Sequence, residues 1–254
     1  MRCNLEVARG TARLYGMSIS HPANAARLML EYKGIPYELV RVSPGAQAVR
    51  VRLARFRGGT VPALAIDGRR ALGTRAISRL LDELQPEPPL FPPDPDRRRA
   101  VEEAEAWGEQ VLQPIPRRAL RWALSHDQAA RMTFSRAVGN PMPAVTSRAM
   151  LPVIAFYARR ENAWSTDQIR GDWAALPGHV DHVDNLLAQG VLGKEQPNAA
   201  DFQIGTTLRL MLASEDFAPL IAGRPAERLA LRIWPEYRFP VPRLLPATIR
   251  EAAA

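Results

Sequence analysis

Along the first third of the chain the apolar positions change period several times. Residues 12–17 carry Leu14, Tyr15 and Met17 in a short apolar run that predicts a strand. A polar interval follows, Ser18-Ile19-Ser20-His21-Pro22. Then Ala25, Leu28, Met29 and Tyr32 recur at i, i+3, i+4 and i+7, one face of a helix. Pro22 suits the first turn of that helix, and Gly34 and Pro36 suit its stop. Residues 37–42 read as a second strand. Residues 45–57 read as a helix with Ala46, Val49, Leu53 and Phe56 on one face and arginines on the other. Residues 61–66 form a third strand, and Asp67-Gly68 is a hairpin turn into a fourth over 69–72. Thr74 is placed to cap a helix whose Ile77, Leu80, Leu81 and Leu84 share a stripe.

Beyond this βαβ, α, ββ, α order the pattern changes. Residues 85–96 (QPEPPLFPPDPD) hold six prolines in twelve positions. Proline has no N–H and a fixed φ, so the stretch predicts a stiff linker. After it, strand signals nearly vanish, and 97–124, 151–162, 166–188, 198–214 and 225–233 read as helices, with a loop at 139–143. Asn198 and Asp201 make a capping pair. The region 126–148 reads as a lid or an ordinary loop. The expected organisation is a loose tail over 1–11, an α/β domain over 12–84, the linker over 85–96 and an all-helical domain over 97–254.

Composition narrows the function classes. Hydrophobic residues are 46% and charged residues 24%, enough to bury a core. The longest unbroken apolar run, 151–158, has eight residues including a proline; a membrane helix needs about 20. The first residues lack the apolar stretch of a secretory signal. The single cysteine, Cys3, has no internal partner, and no Cys/His cluster has zinc spacing, so no metal is expected. These readings predict a soluble cytoplasmic protein. Net charge is +8, and all cations except Lys33 and Lys194 are arginine. The arginines are scattered rather than massed with aromatics, which argues against a nucleic-acid platform.

Four stretches in fixed order resemble the glutathione S-transferase family. LYGMSISHPANAARLMLEYKGIPYELV (14–40) is similar to the family's first strand, active-site loop, first helix and second strand. GGTVPALAIDGRRALGTRAI (58–77) is similar to its third and fourth strands and third-helix start. PLFPPDPDRRRAVEEAEAWGE (89–109) resembles its linker and the following helix, and PNAADFQIG (197–205) its buried capping segment. The resemblance covers 13–215. It implies a thioredoxin-like βαβαββα domain followed by an all-helical domain, and an enzyme that activates glutathione for attack on a hydrophobic electrophile.

The chemistry needs a thiolate. A free thiol has a pKa of about 8.5 and is mostly protonated at neutral pH. One hydrogen-bond donor and the positive end of a helix increase the reactive form. The 18–21 loop offers both. The resemblance aligns Ser20 with the family's catalytic hydroxyl; a plain helix N-cap is the alternative, and one residue can fill both roles. Ser18 is the nearest substitute. His21 reads as a helix-start residue and Tyr15 as core. By the same resemblance Pro62 is cis and the Val61 main chain pairs with the cysteinyl part of glutathione; a trans proline at a strand start is the alternative. Thr74 with Arg75 begins the third helix, where a hydroxyl and free N–H groups form an anion pocket for the γ-glutamyl carboxylate, or where Thr74 is a simple cap. Here the chain departs from the family: Gly73 stands where an acidic residue usually meets the γ-glutamyl ammonium.

Arg50, Arg52, Arg55 and Arg57 sit where a cation for the glycyl carboxylate is often found, but such a row is first a solvated face. The resemblance places an electrophile pocket between the domains, with Trp107, Gln110 and Val111 as lining candidates; Trp107 reads equally as core. Expected partners are a small electrophile and a second copy of the chain. The other readings are a non-catalytic binding protein on the same fold, a transferase using a different small thiol, and anion or nucleic-acid binding through the positive charge.

Overall fold

The computed structural model describes residues 11–43, 47–137, 144–149, 165–237, 241 and 243–250. The chain divides into two compact units, Met1–Phe91 and Pro92–Ala254.

The first unit runs β1 (Ala12–Gly16), α1 (His21–Tyr32), β2 (Tyr37–Arg41), α2 (Gln47–Leu53), β3 (Ala63–Ile66), β4 (Arg69–Leu72) and α3 (Thr74–Leu84). The sheet order is β2-β1-β3-β4, with β1 and β2 parallel and the other pairs antiparallel. A parallel pair needs a crossover, and α1 supplies it. Asp67 (φ 48°) and Gly68 (φ 75°) turn β3 into β4, as two left-handed residues do in a tight hairpin. One face of the sheet is covered by α1 and α3, which bury Ala25, Ala26, Met29, Leu30, Ile77 and Leu81. Close approach there needs Gly16, whose added Cβ would lie 2.9 Å from the Ala23 Cβ. Tyr15, Val42, Val51, Phe56 and Ala63 form a separate core cluster.

Helix α2 differs from its expected form. It ends at Leu53, and it buries Val51 while Val49 and Leu53 stand 59% and 76% exposed. Arg55, at φ 65°, breaks the helix and lets Phe56 reach the core by a separate turn, edge-on to Tyr15 at 5.6 Å. The proline-rich stretch is also more than a spacer. The buried Lys33 ammonium donates to Asp82 Oδ1 at 2.8 Å and to the carbonyls of Gln85 and Pro86 at 2.6 and 3.3 Å. Asp82 Oδ1 also accepts from the Leu90 N–H at 2.7 Å. Leu90 and Phe91 are thereby buried on the first unit.

In the second unit, α4 (Pro95–Trp107) is capped by Asp94, which accepts from the Arg97 N–H at 2.9 Å. The single helix expected over 97–124 is instead α4, a wider turn over Gly108–Leu112, and α5 (Pro114–His126). Pro114 has no N–H and its ring excludes the carbonyl four residues back, so the chain widens and Gln113 N–H bonds five residues back to Gly108 at 2.9 Å. Then come α6 (Gln128–Ala137), α7 (Ala144–Ala149), α8 (Thr166–Ala188), α9 (Ala199–Leu212), α10 (Ala218–Ile221), α11 (Pro225–Ile233) and α12 (Ala247–Arg250). Within 126–148, where a lid or an ordinary loop is expected, the chain forms α6. The expected loop at 139–143, the helix at 151–162 and residues 1–10 of the tail lie outside the described residues. Helix α9 is the buried centre of this unit: residues 199–208 are all buried. Its start is a full capping box. Asn198 Oδ1 accepts from Ala200 and Asp201 at 2.9 and 3.1 Å, and Asp201 accepts from the Asn198 N–H at 2.9 Å. No helix among the described residues is long and apolar enough to cross a membrane.

Candidate functional site

The topology of the first unit brings three separate stretches to one end of the sheet. Tyr15 lies opposite Ala63, and Ala63 lies opposite Leu72. Carried on from Tyr15, the antiparallel register sets Gly16 opposite Pro62 and Met17 opposite Val61. Met17 and Val61 both pack against the Tyr15–Phe56 cluster. On the other side, the Gly73 N–H donates to the Pro62 carbonyl at 2.9 Å. The 17–21 loop, the 61–62 bend and the 73–74 corner are therefore neighbours, and α1 and α3 both begin there. Two helix N-termini at one sheet edge place their free N–H groups and positive ends together.

Ser20 is the N-cap of α1, half-buried, with its Oγ accepting from the Ala23 N–H at a long 3.4 Å. A long cap bond leaves the hydroxyl hydrogen uncommitted to the helix, because in this bond the oxygen only accepts. Asn24 fixes the loop: its Nδ2 donates to the Ser18 carbonyl at 2.8 Å and to the Ser20 carbonyl at 2.9 Å. Asn24 was not singled out from the sequence; its position one turn after Ser20 is the signal that marks it. Ser18 is exposed, His21 is the buried first residue of α1, and Tyr15 is core.

The Val61–Pro62 peptide bond is cis. Among the described residues none is hydrogen-bonded to the Val61 main chain. Thr74 is not the cap of α3. That position belongs to Gly73, at φ 87° and ψ 157°, with no side-chain cap bond. This backbone region is almost exclusive to glycine, and another residue there costs about 1–3 kcal/mol. Thr74 is the first helical residue and is buried, and its hydroxyl makes no hydrogen bond to another described residue. Arg75 follows, half-buried, in a first turn with no acidic residue. Arg50, Arg52, Arg55 and Arg57 are exposed, consistent with a solvated face.

Trp107, Gln110 and Val111 lie in the second unit, at the end of α4 and in the wider turn. Trp107 is half-buried against two histidines of α8, edge-on to His182 at 4.4 Å and to His179 at 5.9 Å between ring centroids. Burial lowers the His179 pKa, opposed by the Asp172 charge and helped by His182. The sequence reading of Trp107 missed these partners; the three-residue spacing of His179 and His182 on a helix is what puts both against one ring. Gln110 is exposed and Val111 half-buried. No group of three or more metal-ligating side chains occurs among the described residues.

Comparison with known proteins agrees with this geometry. Residues 14–89 match the model for the glutathione S-transferase N-terminal domain. Over 113 residues the chain is 34% identical to mouse maleylacetoacetate isomerase, covering 42% of this chain and 52% of the mouse protein, so it spans about half the length of that relative. Solved structures share the fold over nearly the whole chain. A glutathione S-transferase from Sinorhizobium meliloti gives a TM-score of 0.60 at 19% identity, covering 89% of this chain and 88% of that one. One from Methylobacterium radiotolerans, solved with glutathione sulfonate, gives 0.56 at 20%, covering 93% and 97%. Poplar glutathione transferase F1 gives 0.61 at 14%, covering 96% and 98%. Residues 14–89 are thus similar to a glutathione S-transferase N-terminal domain, and the chain has the corresponding fold, a thioredoxin-like unit followed by an all-helical unit.

Proposed function

We propose that the protein is a glutathione transferase-like enzyme. It binds a small thiol, glutathione in the first instance, at the edge formed by residues 17–21, 61–62 and 73–75, and directs its sulfur at an apolar electrophile. The observation that carries this reading is the meeting of the Ser20 loop, the Val61–Pro62 bend and the start of α3 at one sheet edge. The Val61 main chain is available to pair with the peptide part of the thiol. Thr74, Arg75 and the N–H groups of α3 receive a carboxylate. Ser20 donates its hydroxyl hydrogen to the sulfur, which favours the thiolate. The thiol proton leaves to solvent, the sulfur bonds to the electrophilic carbon, and an aryl halide releases its halide. Trp107, Gln110 and Val111 are the candidates for contact with the electrophile. A homodimer is the expected assembly.

Conjugation of glutathione to an aryl halide tests the mechanism. A donor bond to a charged group is worth about 1.5–3 kcal/mol. Ser20→Ala is therefore expected to lower kcat/KM by about 10- to 100-fold. Equal rates in both proteins remove Ser20 from the mechanism. A second reading, thiol-dependent isomerisation, is favoured by the match to the mouse maleylacetoacetate isomerase. It uses the same activated sulfur, and assay of a conjugated cis-enoyl acid distinguishes it from conjugation.

A further inference from the structure

The Ser20 loop is held by a side chain to which the chemistry above gives no role. Asn24 is 7% exposed, and its Nδ2 donates to the Ser18 carbonyl at 2.8 Å and to the Ser20 carbonyl at 2.9 Å. These carbonyls lie on either side of Ile19, so holding both sets the backbone from which the Ser20 side chain projects. The Ser20 N–H closes the loop from the other side by donating to the Met17 carbonyl at 3.0 Å. The cap bond of the Ser20 hydroxyl sets its direction only weakly, because 3.4 Å is longer than an ordinary hydrogen bond. Asn24 is itself fixed. Carbonyl oxygens only accept, so its amide turns its NH2 to the loop and its oxygen away. That oxygen accepts from Arg27 Nε at 3.0 Å. Arg27 Nη1 donates to both oxygens of Glu31, at 2.7 and 2.9 Å. Glu31 Oε1 also accepts from the Tyr37 hydroxyl on β2 at 2.7 Å. Asn24, Arg27 and Glu31 stand at i, i+3 and i+7, on one face of α1. A chain of bonds thus runs from β2 along α1 to the loop.

Activation of a sulfur by a neutral hydroxyl depends on direction. A hydrogen bond weakens steeply as it bends, and a misplacement of about 1 Å costs about 100-fold in rate. Resting on the thiol-site reading above, we infer that Asn24 is a positioning residue that acts through Ser20. It aims the Ser20 hydroxyl at the sulfur, and Arg27 fixes which end of its amide faces the loop. Both amide hydrogens of Asn24 are engaged by the loop carbonyls, so its effect on the thiol passes through Ser20.

A double-mutant cycle in the full chain tests this. Two quantities are read for each protein: the acidity of bound glutathione, from the ultraviolet absorbance of its thiolate, and kcat/KM with an aryl halide. Asn24→Leu keeps the size of the side chain and removes both donors. With Ser20 present it is expected to weaken the acidity of the bound thiol about tenfold and to lower kcat/KM by about 10- to 100-fold. In the Ser20→Ala protein it is expected to add no more than about a twofold loss, the size of an uncoupled change. Arg27→Met is expected to lower kcat/KM about threefold, again only with Ser20 present. Unchanged acidity and rate in a folded Asn24→Leu protein overturn the inference and leave the thiol site standing. So does a loss as large without Ser20 as with it. Where Asn24→Leu does not fold, Arg27→Met decides, and an unchanged rate there overturns the inference. A wild-type chain that binds no glutathione overturns the thiol-site reading and this inference with it.

Discussion

Ser20 carries two roles that mutation separates by size. Its cap bond to Ala23 is long, at 3.4 Å, so Ser20→Ala is expected to cost only about 0.5 kcal/mol of stability, the low end for a lost N-cap. Its proposed effect on the sulfur is several times larger in free energy, so activity falls while the urea midpoint barely moves. Lys33 is the opposite case. Its side chain is fully buried and its ammonium meets Asp82 and two carbonyls. Lys33→Met strands the Asp82 carboxylate and is expected to destabilise by about 3–5 kcal/mol, read from urea unfolding. Adding Asp82→Leu is expected to recover only part of this, because Asp82 also accepts the Leu90 N–H. The Lys33 role was invisible in the sequence: a lone lysine near a helix end looks solvated until the proline-rich stretch folds back over it.

Elements were legible where local chemistry fixes them. The Asn198 and Asp201 spacing marks the start of α9 because both side chains bond back to their own backbone. Asn198→Ala removes two acceptor bonds and the donor bond to the Val191 carbonyl at 2.8 Å. The expected loss is about 2 kcal/mol, the upper end for a cap, measured by chemical unfolding. Periodicity was a poorer guide for α2, where Val49 and Leu53 share an exposed helical face, and tertiary packing chose Val51 and Phe56. The break between α4 and α5 needed attention to Pro114 rather than to the apolar stripe. On α8, burial holds the His179 pKa below its ordinary 6.5. The native state then binds fewer protons than the unfolded chain, so stability falls as pH drops from 6.5 through the lowered value. His179→Gln is expected to flatten the loss of stability between about pH 7 and about pH 5, and an unchanged slope assigns it to other groups.

At the scale of the molecule, the order of four sequence stretches carried the fold, and the strand register then showed how segments of them come together. Ser20, Val61 and Thr74 are far apart in sequence, yet three strand ends put their segments side by side. The sequence also exposed Gly73 as a departure, and its backbone angles, φ 87° and ψ 157°, show a conformation that favours glycine there. The central claim is that this one edge is a thiol site. Amide NMR of the isotope-labelled chain titrated with reduced glutathione tests it most directly. The account predicts saturable shifts concentrated at Ser18–His21, Val61 and Gly73–Ala76; saturable shifts confined to other residues, or none at all, contradict it.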